Sequence, residues 1–282
     1  MNFRSFRPSF MALTVASAFV VTPAVGWMAE NLVDERAAYA ARLEAIDERV
    51  EASFADHGFE RATNEHGEAA DAIGVQLWRA TKAFRLDLAG GRLSGAAAGA
   101  DARVARIVIE ELSRYPTGFL RAHRFRRVLL CSGLEEAGVK IPSLPNLEQS
   151  LVLDVDAPDA FLRRLLHHEV FHFMDYTADD QVTRDPEWEA LNDRYFVYGF
   201  GGRFMRDGAT SRFGSGGAGF VTEYAKSGLE EDKAETFAFL LVSPGSMQRQ
   251  TQRDPRLDAK ARHLRQWVQS RDARTAALFG PR

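Results

Sequence analysis

The chain contains, at residues 161–176, the stretch FLRRLLHHEVFHFMDY, around which the rest of the sequence can be interpreted. Its apolar residues recur three and four positions apart, which is the spacing of one face of an α-helix. The sequence directly before it, Asp156–Asp159 (DAPD), combines acidic residues with an early proline, as helix starts commonly do. We therefore predict a helix over Phe161–Tyr176 that turns one face toward a hydrophobic core.

Two histidines and a glutamate within this helix are spaced for a metal site. His168 and His172 are separated by about 400° of rotation and ~6 Å of rise, so both imidazoles project from one face. Glu169 lies about 100° from His168, so its carboxylate borders the ion without having to bind it, which suits a general base. Burying three ionisable groups on a half-apolar helix is costly without a partner, and a zinc ion would supply one.

A catalytic zinc site usually has a third protein ligand and leaves its fourth position to water. The metzincin pattern would require glycine at position 175 and histidine or aspartate at 178, but the chain has Asp175 and Ala178. A better candidate is a second helix, predicted from about Gly228 to Leu241, in which Glu231 and Glu235 share one face. The two carboxylates repel each other unless one binds the ion and the other accepts a hydrogen bond from a ligand imidazole.

The remaining sequence predicts an α+β protein. The predicted helices are Glu30–Phe54, Ala69–Leu88 and Asp101–Arg114, a Gly/Ala-rich linker covers Leu88–Ala100, and the predicted strands are Arg127–Cys131 and Ser150–Val155. Ser227 and Glu230 have the spacing of a capping box, which predicts the start of the second helix near Gly228. Because Ser150–Val155 directly precedes the helix of His168, we expect its edge to pair with an extended ligand.

These positions belong to a longer pattern that resembles a known family. The matching positions run from about Arg106 to the C-terminus and include Tyr115-Pro116, His167–His172, Asp175, Trp188, Leu191-Asn192, Tyr198-Gly199, Gly219–Val221, Tyr224-Ala225 and Glu231–Glu235. In them the chain is similar to bacterial zinc-binding metallopeptidases of the gluzincin kind, which are distantly similar to the catalytic domain of anthrax lethal factor. The resemblance implies a zincin-like domain over residues 101–282, with a small sheet packed on the helix of His168, after an N-terminal helical region and linker over residues 27–100.

The resemblance also implies roles for individual residues. The first acidic residue of the gluzincin pattern E-x-x-x-D/E is the metal ligand and the second supports a ligand, which assigns these roles to Glu231 and Glu235. The two roles could be exchanged. Tyr224 matches a tyrosine that faces the developing oxyanion in lethal-factor-like sites, and Tyr195 or Tyr198 could replace it.

The function expected from the pattern is zinc-dependent hydrolysis of peptide bonds in a peptide or protein substrate. One zinc ion per chain would be held by His168, His172 and Glu231, and Glu169 would activate the attacking water. Two alternatives stay open. The chain could be a zinc-binding envelope protein without hydrolytic activity, or a hydrolase that acts on cell-wall peptides.

The N-terminus predicts export. Arg4 and Arg7 precede a charge-free stretch, Pro8–Ala29, and the small residues at 24–26 favour cleavage before Trp27. Residues 1–26 are therefore expected to be a signal peptide, and the protein to be periplasmic or secreted. A membrane anchor is the alternative, because the stretch approaches the ~20 residues that cross a bilayer.

Composition restricts the remaining functions. Of the 282 residues, 45% are hydrophobic and 27% are charged, which is the balance of a soluble globular protein. The net charge of −3, with scattered arginines, argues against nucleic acid as a partner. The single cysteine, Cys131, excludes an internal disulfide framework and any cysteine-rich zinc site.

Overall fold

A computed structural model describes residues 41–42, 44–88, 91–99, 102–178, 184–199, 201 and 215–280. The expected signal peptide or anchor, residues 1–26, lies outside this range. Among the helices that are described, none is both long enough and apolar enough to cross a membrane. The described residues form helices and a mixed sheet, which confirms an α+β protein.

The secondary structure consists of the following elements. The strands are β1 (Phe59–Arg61), β2 (Gln76–Ala80), β3 (Phe84–Leu88), β4 (Gly91–Ala96), β5 (Arg127–Glu136), β6 (Val139–Lys140), β7 (Ser143–Leu147), β8 (Ser150–Asp154), β9 (Ser215–Gly217) and β10 (Phe220–Thr222). The helices are α1 (Glu65–Ala72), α2 (Ala102–Leu112), α3 (Phe119–Ala122), α4 (Asp159–Ala178), α5 (Pro186–Glu189), α6 (Leu229–Val242), α7 (Pro244–Thr251) and α8 (Pro255–Arg271). Residues 44–56 are also helical, and 3₁₀ helices cover Tyr224–Ser227 and Ala273–Phe279.

The main sheet is organised around the long strand β5. In its first half, β5 lies between β2 and β8 and pairs with both in parallel. In its second half it pairs antiparallel with β4 and β6. Strand β1 pairs with β2, and β7 pairs with β8, both antiparallel. Strand β8 is buried, and its three central residues, Leu151–Leu153, are all apolar, as is typical of a central strand covered on both faces.

The predicted helix Ala69–Leu88 is wrong beyond residue 72. Helix α1 ends there, Gly74 follows with a φ of +81°, and the chain continues as strands β2 and β3. In β3 the apolar residues Phe84 and Leu86 are buried, whereas Arg85 between them is exposed. This is the two-residue period of a strand, which overrides the helical spacing that we expected.

The predicted linker Leu88–Ala100 is also wrong over residues 91–96, which form β4. Strand β4 pairs with β3 on one side and with the second half of β5 on the other, so its glycine and alanine residues lie within a sheet. At Gly95 a Cβ atom would come within 2.7 Å of the Phe84 ring. The small residues of this stretch therefore reflect close packing between strands, and the region before residue 101 contributes four strands as well as helices.

The expectation that Ser150–Val155 provides an open sheet edge is wrong too. Strand β8 lies between β5 and β7, so both of its sides are already paired. Among the described strands, β7 has β8 as its one partner and forms the edge. Pro145 lies within β7 and has no N–H to donate, which is tolerated at an edge and not in a central strand.

Helices α4 and α6 pack against each other within one hydrophobic core that also contains residues of the sheet. The rings of Phe171 in α4 and Phe237 in α6 are fully buried, with centroids 5.3 Å apart. On the same pair of helices, Lys233 of α6 donates a hydrogen bond of 2.8 Å to Asp175 of α4. Because both groups are buried, this ion pair restricts how the helices can slide past each other.

The start of α6 differs from the predicted capping box. Gly228 occupies the N-cap position, and Ser227 is the last residue of the preceding 3₁₀ helix. The Ser227 hydroxyl makes no hydrogen bond within the described part of the chain. The Glu230 carboxylate lies close to Gly228, where a Cβ atom would come within 2.6 Å of it. A side chain at the N-cap would therefore require the Glu230 carboxylate to move.

Asp232 in α6 connects this helix to α8, to α5 and to the loop that contains Tyr198. Its Oδ2 atom accepts hydrogen bonds from Lys260 Nζ at 2.6 Å, Trp188 Nε1 at 2.9 Å and the Tyr198 hydroxyl at 2.6 Å. The side chains of Asp232 and Lys260 are fully buried. The Lys260 ammonium also lies 3.8 Å from the centroid of the Phe220 ring. This network fixes the first turn of α6 relative to α8.

We expect Lys260→Met to lower the free energy of unfolding by about 3–5 kcal/mol, because it leaves Asp232 buried without its cation. The control is Arg262→Met in the same helix, which removes an exposed pair with Asp258 and should cost ~0.5 kcal/mol or less. Urea unfolding followed by circular dichroism measures both values. Equal losses in the two variants would contradict the structural role given to Lys260.

Candidate metal centre

Helices α4 and α6 bring His168, His172 and Glu231 together. One ligating atom from each lies within 4.8 Å of the other two. The Nε2 atoms of the histidines are 3.0 Å apart, and Glu231 Oε2 lies 3.0 Å from Nε2 of His168 and 3.5 Å from Nε2 of His172. The three residues that the sequence predicted as ligands thus meet at one point, and this group could hold a metal ion.

Glu235 orients His168 from the side opposite Glu231. Its Oε1 atom lies 3.1 Å from Nδ1 of His168, and its Oε2 atom accepts a hydrogen bond of 2.8 Å from the Thr222 hydroxyl. Burial raises the pKa of Glu235, but His168, Arg164 and the Thr222 hydroxyl together lower it further, so the pKa lies below its usual range. A carboxylate acceptor requires a proton on Nδ1 of His168, so with a metal ion bound Nε2 would be the nitrogen whose lone pair faces the ion.

The donor set fits a cation. Glu231 Oε2 is buried and, despite its closeness to both histidines, accepts no hydrogen bond of acceptable geometry from any described residue. Burial opposes a charged imidazole, yet the carboxylates of Glu231 and Glu235 raise the pKa of His168 to about 10. The ligand set therefore attracts positive charge. A divalent ion would satisfy two imidazole lone pairs and one buried carboxylate oxygen at once.

Glu169 lies beside the ligand set without joining it. Its Oε1 atom accepts a short hydrogen bond from the Ser143 hydroxyl of β7. Its Oε2 atom is buried and has no hydrogen-bond partner among the residues described. The negative charge of Glu169 contributes to the raised pKa values of His168 and Tyr224, so all three side chains share one electrostatic environment.

Of the three tyrosines considered from the sequence, Tyr224 is the one next to the ligands. Its ring centroid lies 6.0 Å from that of His168, and its hydroxyl hydrogen-bonds to Glu231. Burial and the neighbouring carboxylates raise the pKa of Tyr224 well above its usual range, so the hydroxyl keeps its proton. Tyr198 is engaged by Asp232, and the side chain of Tyr195 is 77% exposed.

Comparison with known proteins identifies no relative. No protein-family model matches the chain, and neither a curated protein nor a solved structure matches it. The residues of the site and their geometry are therefore the basis for inferring a function.

Sequence reasoning missed several residues that hold the candidate ligands in place. Ser143 bonds to Glu169, Thr222 bonds to Glu235, and Arg164 lies 3.7 Å from the Glu235 carboxylate. Thr222 directly follows the Gly219–Val221 stretch of the family pattern, so a signal for it was available. Ser143 gives no such signal, because its partner lies 26 residues away in a different element.

We expect Glu231→Ala and Glu235→Ala to weaken metal binding to different extents. Loss of Glu235 removes only the acceptor that orients His168 and should weaken binding by ~10–100-fold. Loss of Glu231 removes a ligating atom and should have the larger effect. Titration with Co²⁺, whose visible absorption reports its coordination, measures both affinities. A larger effect in Glu235→Ala would mean that the two glutamates have exchanged roles.

Proposed function

We propose that the chain is a zinc-dependent peptidase of the gluzincin kind, with a zincin-like fold. The observation that carries the proposal is the meeting of three ligating atoms from two helices beside a carboxylate that is not needed as a ligand. His168, His172 and Glu231 would bind one zinc ion per chain. Glu169 would act on the water that attacks the substrate carbonyl.

The choice of zinc follows from the chemistry of the donors. Two imidazoles and one carboxylate form a typical three-residue set of a catalytic zinc site, which leaves a fourth position for water. Calcium and magnesium favour oxygen ligands and are poorly matched to two histidines. The zinc-binding envelope protein without hydrolytic activity is disfavoured by Glu169, because a purely structural site has no use for a general base.

The proposed reaction assigns a separate task to each group around the ion. Zinc, when bound, is a Lewis acid that lowers the pKa of a coordinated water. Oε2 of Glu169 would accept a proton from the attacking water and later transfer it to the leaving amine. The Tyr224 hydroxyl, which keeps its proton, would donate a hydrogen bond to the developing oxyanion. These tasks require that Glu169 and Tyr224 lie around the reacting carbonyl rather than on the metal.

A peptide or protein substrate is supported by the position of β7. This strand is the edge of the sheet nearest to α4, and it contacts that helix directly. An extended peptide could add to this edge through main-chain hydrogen bonds, which recognise a peptide backbone in any sequence. The half-buried residues Leu144 and Leu147 would then border the substrate. A cell-wall peptide is a candidate substrate of the same chemical class.

We expect Glu169→Gln to bind zinc at the native level but to lower turnover by at least ~10²-fold. Glutamine preserves the shape of the side chain and cannot accept the proton, and 10² is the low end of a general-base contribution. Elemental analysis and a peptide-cleavage assay measure the two quantities. Glu110→Gln, at an exposed position of α2, is the control and should be unaffected in both. A zinc-loaded native chain that cleaves no peptide from a diverse library would refute the proposed function.

We expect Tyr224→Phe to reduce kcat by ~10²–10³-fold with little change in KM, because it removes one hydroxyl that would stabilise the oxyanion. Zinc content should stay native. Tyr195→Phe is the matched control, since it removes an exposed hydroxyl and should leave kcat unchanged. An unchanged kcat in Tyr224→Phe would show that this hydroxyl takes no part in the chemistry.

A further inference from the structure

The hydrogen bond between Ser143 and Glu169 joins the edge strand β7 to the helix that carries both histidines. The Ser143 hydroxyl donates to Oε1 of Glu169. Ser143 is 7% exposed and Glu169 is 4% exposed, so water hardly competes for this bond. A hydrogen bond to an ionised acceptor in such a place is strong and directional.

The two oxygens of Glu169 are used differently. Oε1 is occupied by Ser143, whereas Oε2 is buried and has no hydrogen-bond partner within the described residues. A carboxylate held at one oxygen loses the rotation about its last bond that would exchange the two. Oε2 is therefore the oxygen left to accept a proton, and its direction depends on Ser143.

The register of β7 shows why this serine can serve two surfaces. Ser143 is opposite Leu153, and the Asp154 N–H donates to the Pro142 carbonyl at 2.9 Å. In an antiparallel pair, such a bond between the flanking residues shows that Ser143 and Leu153 make no main-chain hydrogen bonds to each other. The main-chain N–H and C=O of Ser143 therefore point away from β8. Its side chain at the same time reaches Glu169 on α4. One residue thus contributes to the open side of β7 and to the position of the carboxylate.

We propose that Ser143 is a positioning residue that holds the Glu169 carboxylate with Oε2 directed at the reaction centre. The inference rests on the proposed function and adds to it a residue outside the metal-binding pattern. Ser143 acts through Glu169, because its hydroxyl bonds to that carboxylate and to none of the three candidate ligands. Its contribution is the orientation of the base, and small errors in orientation are costly, since a displacement of 1 Å can lower a rate by ~10²-fold.

The first test compares Ser143→Ala with Ser143→Thr and with Ser150→Ala. Ser143→Ala should lower kcat by ~10–100-fold with KM and zinc content unchanged, because only the orientation of the base is lost. Ser143→Thr keeps the hydroxyl and should restore most of kcat. Ser150→Ala is the control: it removes a hydroxyl of another buried serine, in β8, that is bonded to the Glu148 carbonyl and not to Glu169.

A double-mutant cycle tests whether Ser143 acts through Glu169. In the Glu169→Gln background, Ser143→Ala should change the residual kcat by less than ~2-fold, because the base it orients is already absent. Equal losses in the two backgrounds would show an effect independent of Glu169 and would overturn the proposal. So would a native kcat in Ser143→Ala.

A second measurement, hydrogen exchange, does not depend on enzymatic activity. If the bond holds β7 against α4, hydrogen exchange of the peptide that contains Leu144 should be at least ~5-fold faster in Ser143→Ala than in the native chain or in Ser150→Ala. Unchanged exchange would overturn the proposed contact. Faster exchange in a zinc-loaded chain that cleaves no peptide would leave the contact standing and refute the enzymatic function, and with it the positioning role.

Discussion

The packing of α4 against α6 is the constraint on which the rest of the structure depends. The two helices are far apart in the sequence, and the candidate site exists only where their facing surfaces meet. Phe171 and Phe237 supply the apolar part of this contact, and the buried pair of Asp175 with Lys233 supplies the ionic part. A shift of one helix by a single residue, about 1.5 Å along its axis, would exceed the tolerance of a coordination bond. The positions of the candidate ligands are therefore only as well defined as the packing of α4 against α6.

Four charged residues follow one another closely in α6, and each contacts an ionisable side chain of α4 or α8. Glu231 faces the two histidines, Asp232 binds Lys260, Lys233 binds Asp175, and Glu235 binds His168. Burying so many charges on one helix costs free energy, which is offset only when all partners are in place at the same time. The arrangement therefore favours a single rotation and depth for α6. It explains why a helix without a side-chain cap at its start still has a defined position.

The carboxylates of the site lie in different environments. Glu231 and Glu235 have depressed pKa values, since their histidine contacts outweigh the effect of burial, and both are suited to remain charged beside a cation. Glu169 is bonded at one oxygen only, by a serine of the neighbouring strand. A group intended to gain and lose a proton benefits from such an unoccupied position. The geometry thus separates the carboxylates of α6, which would hold or support a metal, from the carboxylate of α4, which would move a proton.

The sequence by itself determined the α+β class, the helix of His168 and His172, the helix of Glu231, and the idea that these residues bind one metal ion. These features follow from periods of 3.6 residues and from spacings inside one segment, which covalent geometry converts directly into shared faces. The strands at 76–96, the edge position of β7 and the bond of Ser143 to Glu169 were decided by tertiary structure alone. Short apolar segments suit a helix or a strand equally well. Contacts between residues of different segments produce no regular spacing in the sequence from which they could be predicted. Only the packing of the whole chain selects among them.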